Sequence, residues 1–173
     1  MLKAICLFHL LRGAWTSRVD DLDQWIQAEL SDGFNVTAIQ TQGKNDNSVN
    51  GGQWVMTYKL SFSNDGLKWD VYTKDGGSEM VRNLFFRKYF NQFTFEIYIY
   101  KVLQVNETIL CFYLQIFQAN TDRFSIVTNI LEPPLKHAKF VRILPQSWHT
   151  DISLRFEILG CSTGKNATIN IIK

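Results

Sequence analysis

The sequence predicts an all-β domain built from antiparallel strands. Three stretches carry the evidence, because in each of them apolar and polar side chains alternate with a period of two: residues 25–30, 56–62 and 152–158. That period places the apolar side chains on one face of a strand, whereas a helix repeats every three to four residues. Turn-forming residues separate the stretches, and 173 residues suffice for one domain with a core but not comfortably for two.

The first twelve residues, MLKAICLFHLLR, place Lys3 before a short apolar run. This pattern is typical of a signal peptide, but the run is short and no small-x-small cleavage site follows before Trp15. The alternative is a truncated or mispredicted start of the chain. We expect the domain itself to begin at Gly13.

Two strands and an acidic loop follow. WIQAEL (25–30) and FNVTAIQTQG (34–43) form successive strands around a turn at 31–33. The loop before them contains Asp20, Asp21 and Asp23. Calcium takes several oxygen ligands, but the glycine-patterned loop of known calcium sites is absent. We therefore expect a solvated loop and no metal site.

A polar loop, KNDNSVNGGQ, runs from Lys44 to Gln53. Its Asn, Asp, Gly and Ser residues favour turns. Insertion into a bilayer needs large apolar side chains, and this loop offers Val49 alone, whereas its amides and carboxylate suit sugar hydroxyls or a protein surface. An ordinary hydrophilic hairpin loop explains the same composition equally well.

The remaining strands are read from the same pattern. The strand over 56–62 ends at the hairpin signal Asn64-Asp65-Gly66, and Trp69 opens the returning strand. RFSIVTNILEPPL predicts a strand over Phe124–Val127 and a corner at Pro133-Pro134. Of the two tryptophans in this hairpin, we expect Trp69 to serve the core, and Trp54 is left open.

The stretch FVRILPQSWHTDISLRFEILGC predicts two strands joined by a polar corner over Pro145–Asp151. Arg155 and Glu157 fall on one face of the second strand, where they can pair. His149 is expected to be a surface residue. Cys161 just after the closing strand suggests a staple between chain ends, as extracellular domains often have.

Composition excludes several classes of function. The net charge of +2 gives no basic face for nucleic acid, and no apolar run approaches the roughly 20 residues that a membrane helix needs. The cysteines, Cys6, Cys111 and Cys161, do not have metal-ligand spacing. No catalytic motif or phosphate-cradling glycine loop is present, so we expect a protein that is not an enzyme and uses no cofactor.

Several motifs resemble the discoidin domain, also called the C-type domain of coagulation factors V and VIII. They are GAW at 13–15, WIQAEL, TQG at 41–43, the hairpin up to Trp69, FQANTD at 117–122 and the ending PPLKHAKFVRILPQSWHTDISLRFEILGC. The resemblance covers Gly13–Met80 and Ile116–Cys161. It implies a jelly-roll-like sandwich or distorted barrel of about eight antiparallel strands.

The resemblance also implies a function. Discoidin domains are non-catalytic binding and adhesion modules of secreted or cell-surface proteins, and loops at one end of the barrel bind glycans, proteins such as collagen, or anionic phospholipid headgroups. Here the resemblance favours glycan or protein ligands, with phosphatidylserine membranes, or a role as the glycan-targeting accessory domain of a larger enzyme, as alternatives. The candidate ligand-binding residues are Trp15, Lys44, Asn45, Asp46, Asn47 and Trp54. The family's disulfide partner for Cys161 is missing, and Cys6 is too close to Trp15 to replace it.

Residues 81–115 do not resemble the family. At face value FTFEIYIYKV and ETILCFYLQ form a hairpin around Gln104–Glu107, apolar on both faces. Alternatively the segment is a retained intron, because its ends can be encoded by splice-site sequences and its removal joins Met80 to Ile116 in frame. The second alternative is preferred.

Sequons mark Asn35 and Asn166 as candidate glycosylation sites, and a further one at Asn106 lies in the inserted segment. Residues 162–173 are expected to be a tail or linker.

Overall fold

The computed structural model describes residues 3–4, 14–30, 34–44, 52–73, 100–105, 108–113, 115–162 and 169–172. These residues form thirteen β-strands, and no helix occurs among them. The strands are β1 (Lys3–Ala4), β2 (Trp15–Thr16), β3 (Ile26–Leu30), β4 (Phe34–Gln42), β5 (Trp54–Ser63), β6 (Asp70–Val71), β7 (Tyr100–Val105), β8 (Thr108–Tyr113), β9 (Phe117–Gln118), β10 (Val127–Leu135), β11 (Phe140–His149), β12 (Ser153–Ser162) and β13 (Ile169–Ile172).

Two antiparallel sheets form a β-sandwich, which confirms the predicted fold class. One sheet has the order β1-β12-β4-β10, with β2 also on β12, and the other has the order β13-β3-β11-β5-β6, with β9 also on β5. The strand count exceeds the expected eight in part because β1, β2 and β9 have two residues each, too few for the alternation to reveal them. Among the described residues there is no helix with the length and apolarity that a membrane crossing needs.

The core lies between the sheets and is filled by the alternating residues that predicted the strands. Ile152, Leu154 and Ile158 on β12 are at most 1% exposed, and Tyr58 and Leu60 on β5 are fully buried. Close packing of such side chains supplies most of the stability of a domain of this size. The period-two reading of these strands is therefore confirmed.

One polar contact joins the two sheets at their edges. Asn129 on β10 donates from Nδ2 to the Tyr58 hydroxyl at 3.2 Å and to the Gln118 carbonyl at 2.9 Å. Burial raises the pKa of the Tyr58 phenol, so the hydroxyl that accepts this hydrogen bond stays neutral. Asn129 thus links β10 of one sheet to β5 and β9 of the other.

The prediction of a strand over Phe124–Val127 is wrong about the residue at which the strand begins. β10 begins at Val127, and Phe124 and Ile126 lie before it with 58% and 54% of their surface exposed. Asp122 is the cause, since its Oδ1 accepts hydrogen bonds from the backbone N–H groups of Phe124 and Ser125 and so builds a turn there. The corner at Pro133-Pro134 coincides with a register irregularity between Ile130 and Leu135 of β10.

Both ends of the chain contribute strands where the sequence predicted none. Lys3 and Ala4 pair with Gly160 and Leu159, and Ile169–Ile172 pairs antiparallel with β3. These two strands lie outside the range Gly13–Cys161 that is expected for the domain. Cys161 has a free thiol, and Cys6 lies outside the described residues.

The inserted segment contains the hairpin that is expected if the segment is a true insertion. β7 and β8 pair antiparallel from Tyr100↔Tyr113 to Val105↔Thr108 and form a two-stranded sheet of their own. The remaining residues of the segment, except Gln115, lie outside the described ranges.

Candidate ligand-binding surface

Four connections converge at one end of the sandwich: residues 17–24, 43–44 with 52–53, 119–126, and 149–152. We call this surface the loop end. Asp20 holds the first connection to the last, since its Oδ1 accepts the Ile152 N–H at 2.8 Å. Arg155 on β12 donates from Nε to the Gly43 carbonyl at 2.9 Å and so fixes the start of the second connection.

The acidic cluster in the first connection is used for these turns. Asp20 also accepts the Ser17 hydroxyl at 3.1 Å, and Asp21 accepts the Asp23 N–H at 3.0 Å. All three carboxylates are exposed. Among the described residues no group of three metal-ligating side chains is placed to hold an ion.

An aromatic pair lies at the centre of the loop end. Trp54 begins β5 and His149 ends β11, and the two residues are directly opposite each other in the antiparallel register. Their rings stack with centroids 4.0 Å apart and planes 1° from parallel. Trp54 is half-buried and His149 is exposed, so the stack presents its imidazole to solvent.

The imidazole is held by the backbone around it. His149 Nδ1 lies 3.3 Å from the Gly52 carbonyl and 3.0 Å from the Thr150 hydroxyl. Thr150 adopts a left-handed φ of 64°, and the Asp151 N–H donates back to the His149 carbonyl at 2.9 Å. This tight turn keeps the ring against Trp54.

A polar chain runs beside the stack. Lys44 and Gln53 close the 44–53 loop with a backbone hydrogen bond of 2.9 Å, and Lys44 Nζ donates to Gln53 Oε1 at 3.2 Å. Gln53 Nε2 in turn donates to a carboxylate oxygen of Asp151. An ammonium, an amide and a carboxylate are thus linked in sequence at the loop end, where they offer both hydrogen-bond donors and acceptors.

The third connection packs against the base of the polar loop. Gly52 has a φ of +98°, and a Cβ there would lie 2.8 Å from Arg123 Cδ. A Cβ on Gly43 would lie 2.7 Å from Arg123 Cα. The two glycines are therefore required for the close approach of Arg123, whose guanidinium carbon lies 4.7 Å from the centre of the Phe124 ring.

Hydrogen bonds of the FQANTD motif stabilise the third connection, residues 119–126. Asn120 is 1% exposed and donates from Nδ2 to the carbonyls of Thr41 at 3.3 Å and Ser125 at 2.7 Å. Hydrogen bonds from the Ser125 hydroxyl, the Ser125 N–H and the Phe124 N–H hold the pKa of Asp122 below its ordinary value. The motif has a structural role at the loop end.

The predicted site residues fall into three groups. Lys44 and Trp54 lie at the loop end. Trp15 is half-buried on β2, where it pairs with Leu154 and packs against the core. Asn45, Asp46 and Asn47 lie outside the described residues.

Sequence reasoning missed Gln53, His149 and Asp151 as site residues. The signal for His149 was its position beside Trp148 at a predicted corner, but its partner Trp54 lies 95 residues away in the chain. Strand register is what brings them together.

The prediction that Trp69 serves the core is wrong, since Trp69 is only half-buried. No tryptophan is among the buried residues, and Trp15 and Trp148 pack against the core from its margin. Trp25 and Trp69 instead enclose the Arg142 guanidinium, whose carbon lies 4.0 Å and 3.6 Å from the two ring centres. They stabilise the outer face of the second sheet.

Comparison with known proteins identifies the class of protein. The sequence profile of the F5/8 type C domain matches residues 8–158 of the chain. The chain belongs to this family, the discoidin family, and has the binding-module fold and extracellular setting that define it.

Particular relatives are similar over most of the chain. Lactadherin from Mus musculus is 33% identical over 148 residues, which are 86% of this chain and 24% of that protein. Retinoschisin from Takifugu rubripes is 32% identical over 86% of this chain and 39% of that protein. The solved structure of discoidin II from Dictyostelium discoideum superposes with a TM-score of 0.56 at 30% identity, over 87% of this chain and 42% of that chain.

The chain spans about a quarter of the length of the lactadherins it matches. The family assignment therefore applies to this domain, and it defines a binding module whose family ligands are phospholipids, glycans or proteins.

Proposed function

We propose that this domain binds carbohydrate at the loop end, without catalysis. The observation that carries the proposal is the Trp54–His149 stack, 4.0 Å between centroids, with the Lys44–Gln53–Asp151 chain beside it. A sugar ring has an apolar C–H face that packs on an aromatic ring, and hydroxyls that exchange hydrogen bonds with amides and carboxylates. Both kinds of contact are available here within one rim.

The geometry also supports a ligand that meets a preformed surface. His149 is held by Gly52 and Thr150, and Gln53 is held by Lys44 and Asp151. Side chains that are already ordered lose little conformational entropy on binding. Asn45, Asp46 and Asn47 lie outside the described residues and stay candidates on sequence alone, because their amide and carboxylate groups suit sugar hydroxyls.

Charge argues against an anionic membrane as the main ligand. Within the described loop end the cations are Arg18, Lys44 and Arg123, whereas the anions are Asp20, Asp21, Asp23, Asp122 and Asp151. Attraction to an anionic leaflet needs an excess of Lys and Arg near the surface, worth about 1 kcal/mol for each residue. The loop end has the opposite balance.

Anionic phospholipid remains the second candidate, on one specific observation. Phe124, Val19 and Leu22 each expose more than half of their surface on connections at the loop end, and Arg123 lies against Phe124. Exposed apolar side chains beside a cation are typical of peripheral insertion into a bilayer. Membrane binding would use these residues and would not need the aromatic stack.

The test compares variants that separate the two ligands. The full chain is screened on a glycan array and against phosphatidylserine vesicles. In this screen Trp54→Ala and His149→Ala are expected to reduce glycan binding at least tenfold, and Phe124→Ser to leave it unchanged. Trp25→Ala, the same truncation outside the loop end, serves as the matched control. Lipid binding that depends on Phe124 and survives Trp54→Ala would favour the second candidate, and glycan binding unaffected by either stack variant would overturn the first.

A further inference from the structure

The acceptor sequence Asn35-Val36-Thr37 lies at the start of β4, at the end of the sandwich opposite the loop end. Seven residues of β4 separate Asn35 from Gln42, or about 23 Å at the rise of an extended strand. Acceptor sequences of this kind are common by chance, so the surroundings of the Asn35 side chain decide whether it can carry a modification.

In the Asn35 carboxamide, Oδ1 accepts a hydrogen bond, whereas Nδ2 is free to react. Its Oδ1 accepts the His137 N–H at 3.2 Å, an exposed hydrogen bond that secures the turn in which His137 has a φ of 58°. Its Nδ2 has no hydrogen-bond partner within the described residues. Among those residues the one buried side-chain polar atom without a partner is Thr41 Oγ1. Asn35 Nδ2 is therefore in contact with solvent.

The backbone at this position fixes the direction of the side chain. Asn35 pairs with Cys161 of β12, next to Gly160. A Cβ on Gly160 would lie 2.0 Å from the Asn35 carbonyl oxygen, so the two strands approach closely on that side. Phe34 and Val36 on either side are fully buried, so the alternation of β4 places the half-buried Asn35 side chain on the opposite face, where it meets the exposed His137 turn.

We propose that Asn35 carries an N-linked glycan. In the transfer, Nδ2 forms a bond to the anomeric carbon of an N-acetylglucosamine, the bond from that carbon to a lipid-linked diphosphate breaks, and the amide loses one proton. Oδ1 is untouched by this reaction, so the hydrogen bond from His137 is retained in the modified protein. The reaction requires the chain to enter the secretory pathway, as we expect for a member of this family.

The fold also sets the order of events. The Thr37 hydroxyl, which belongs to the acceptor sequence, donates to the Leu159 carbonyl at 3.2 Å once β4 pairs with β12. Transfer must therefore precede this pairing. The glycan then lies at the end of the sandwich away from Trp54 and His149, and ligand binding at the loop end is unaffected by it.

The full chain, with a secretion signal and a reference acceptor sequence appended after Lys173, is expressed in mammalian cells. An amidase that removes N-glycans in heavy-oxygen water leaves a labelled aspartate at each occupied site, which peptide mass spectrometry locates. We expect label at Asn35 in the wild type and in Thr37→Ser, and none at position 35 in Asn35→Gln or Thr37→Val.

The cell-associated pool is analysed together with the medium, because transfer precedes folding and a variant that folds poorly still reports occupancy. An unlabelled Asn35 in a chain whose reference site is occupied would overturn the proposal. The outcome is independent of the proposed sugar-binding function, since it is read without any ligand.

Discussion

The imidazole of His149 lies flat on the indole of Trp54, with the planes 1° from parallel. The pair closes the last rung of the β5–β11 ladder, so its geometry is set by strand register as well as by ring attraction. Aromatic pairs of this kind contribute about 0.5–1.5 kcal/mol beyond their buried area. A surface built on a strand ladder is rigid, and this favours the recognition of a ligand by shape.

The first prediction concerns Gly52, where a positive φ and a close neighbour coincide. Gly52→Ala places a Cβ at a φ of +98° and 2.8 Å from Arg123 Cδ. We expect a loss of about 1–3 kcal/mol in the free energy of unfolding, measured by urea denaturation. In the background of Arg123→Ala the same substitution should cost less, because the backbone strain persists but the side-chain clash is gone. Equal costs in both backgrounds would show that Arg123 does not crowd Gly52.

The second prediction concerns pH and the turn at Asp122. Because its folded-state pKa is lowered, Asp122 stabilises the fold above the ordinary value of 3.8, and this stabilisation is lost as pH falls through the lower folded value. The stability difference between wild type and Asp122→Asn should therefore shrink on acidification below that point. Ser125→Ala removes the largest cause of the shift and should raise the pKa of Asp122, as measured by NMR titration of the carboxyl carbon. An unchanged carboxyl titration in Ser125→Ala would contradict the assignment.

The strands and the site differ in how far the sequence could predict them. Alternation within β3, β5 and β12 is local, so it indicated which residues face the core. The loop end depends on pairings that bring Gln53 to Asp151 and Trp54 to His149, and no local pattern encodes a partner nearly a hundred residues away.

The error at Phe124–Val127 has a different cause. Phe124 and Ile126 flank Ser125, as in an alternating strand, but both precede β10 and expose 58% and 54% of their surface. The period of two suggested a strand there, but hydrogen bonds from the Phe124 and Ser125 N–H groups to Asp122 build a turn, which the alternation does not reveal.

The third prediction concerns Arg142, enclosed by Trp25 and Trp69. Arg142→Lys keeps the charge but loses the planar group that stacks on both rings and the hydrogen bond of 2.9 Å from Nε to Gln27 Oε1. Cation–π contacts at accessible sites contribute about 0.5–1 kcal/mol each, so we expect a loss of about 1–2 kcal/mol in urea denaturation. Lys139→Ala, which removes a cation 5.9 Å from the Phe140 ring centre, is the control and should cost less. Similar losses in the two variants would argue against the stack.

The last prediction concerns residues 81–115, which we propose are dispensable for the domain and derive from a retained intron. β6 and β9 flank the segment, and both pair antiparallel with β5, Val71 opposite Ser61 and Phe117 opposite Tyr58. They therefore run in the same direction along one edge of β5, with their near ends about 10 Å apart. The connection that remains after Met80 is joined to Ile116 is long enough to span this distance.

A shortened chain should keep the fold and gain stability. Closing a loop costs about 0.6 kcal/mol for each doubling of its length, and the deletion shortens the β6–β9 connection more than fourfold, so we expect a gain of about 1 kcal/mol in urea denaturation. Sequencing of the transcript across codons 75 to 125 tests the origin of the segment, and a short product is expected. If the deleted chain shows no cooperative unfolding transition, the β7–β8 hairpin is an integral part of the domain, and a long transcript alone would identify it as a true insertion.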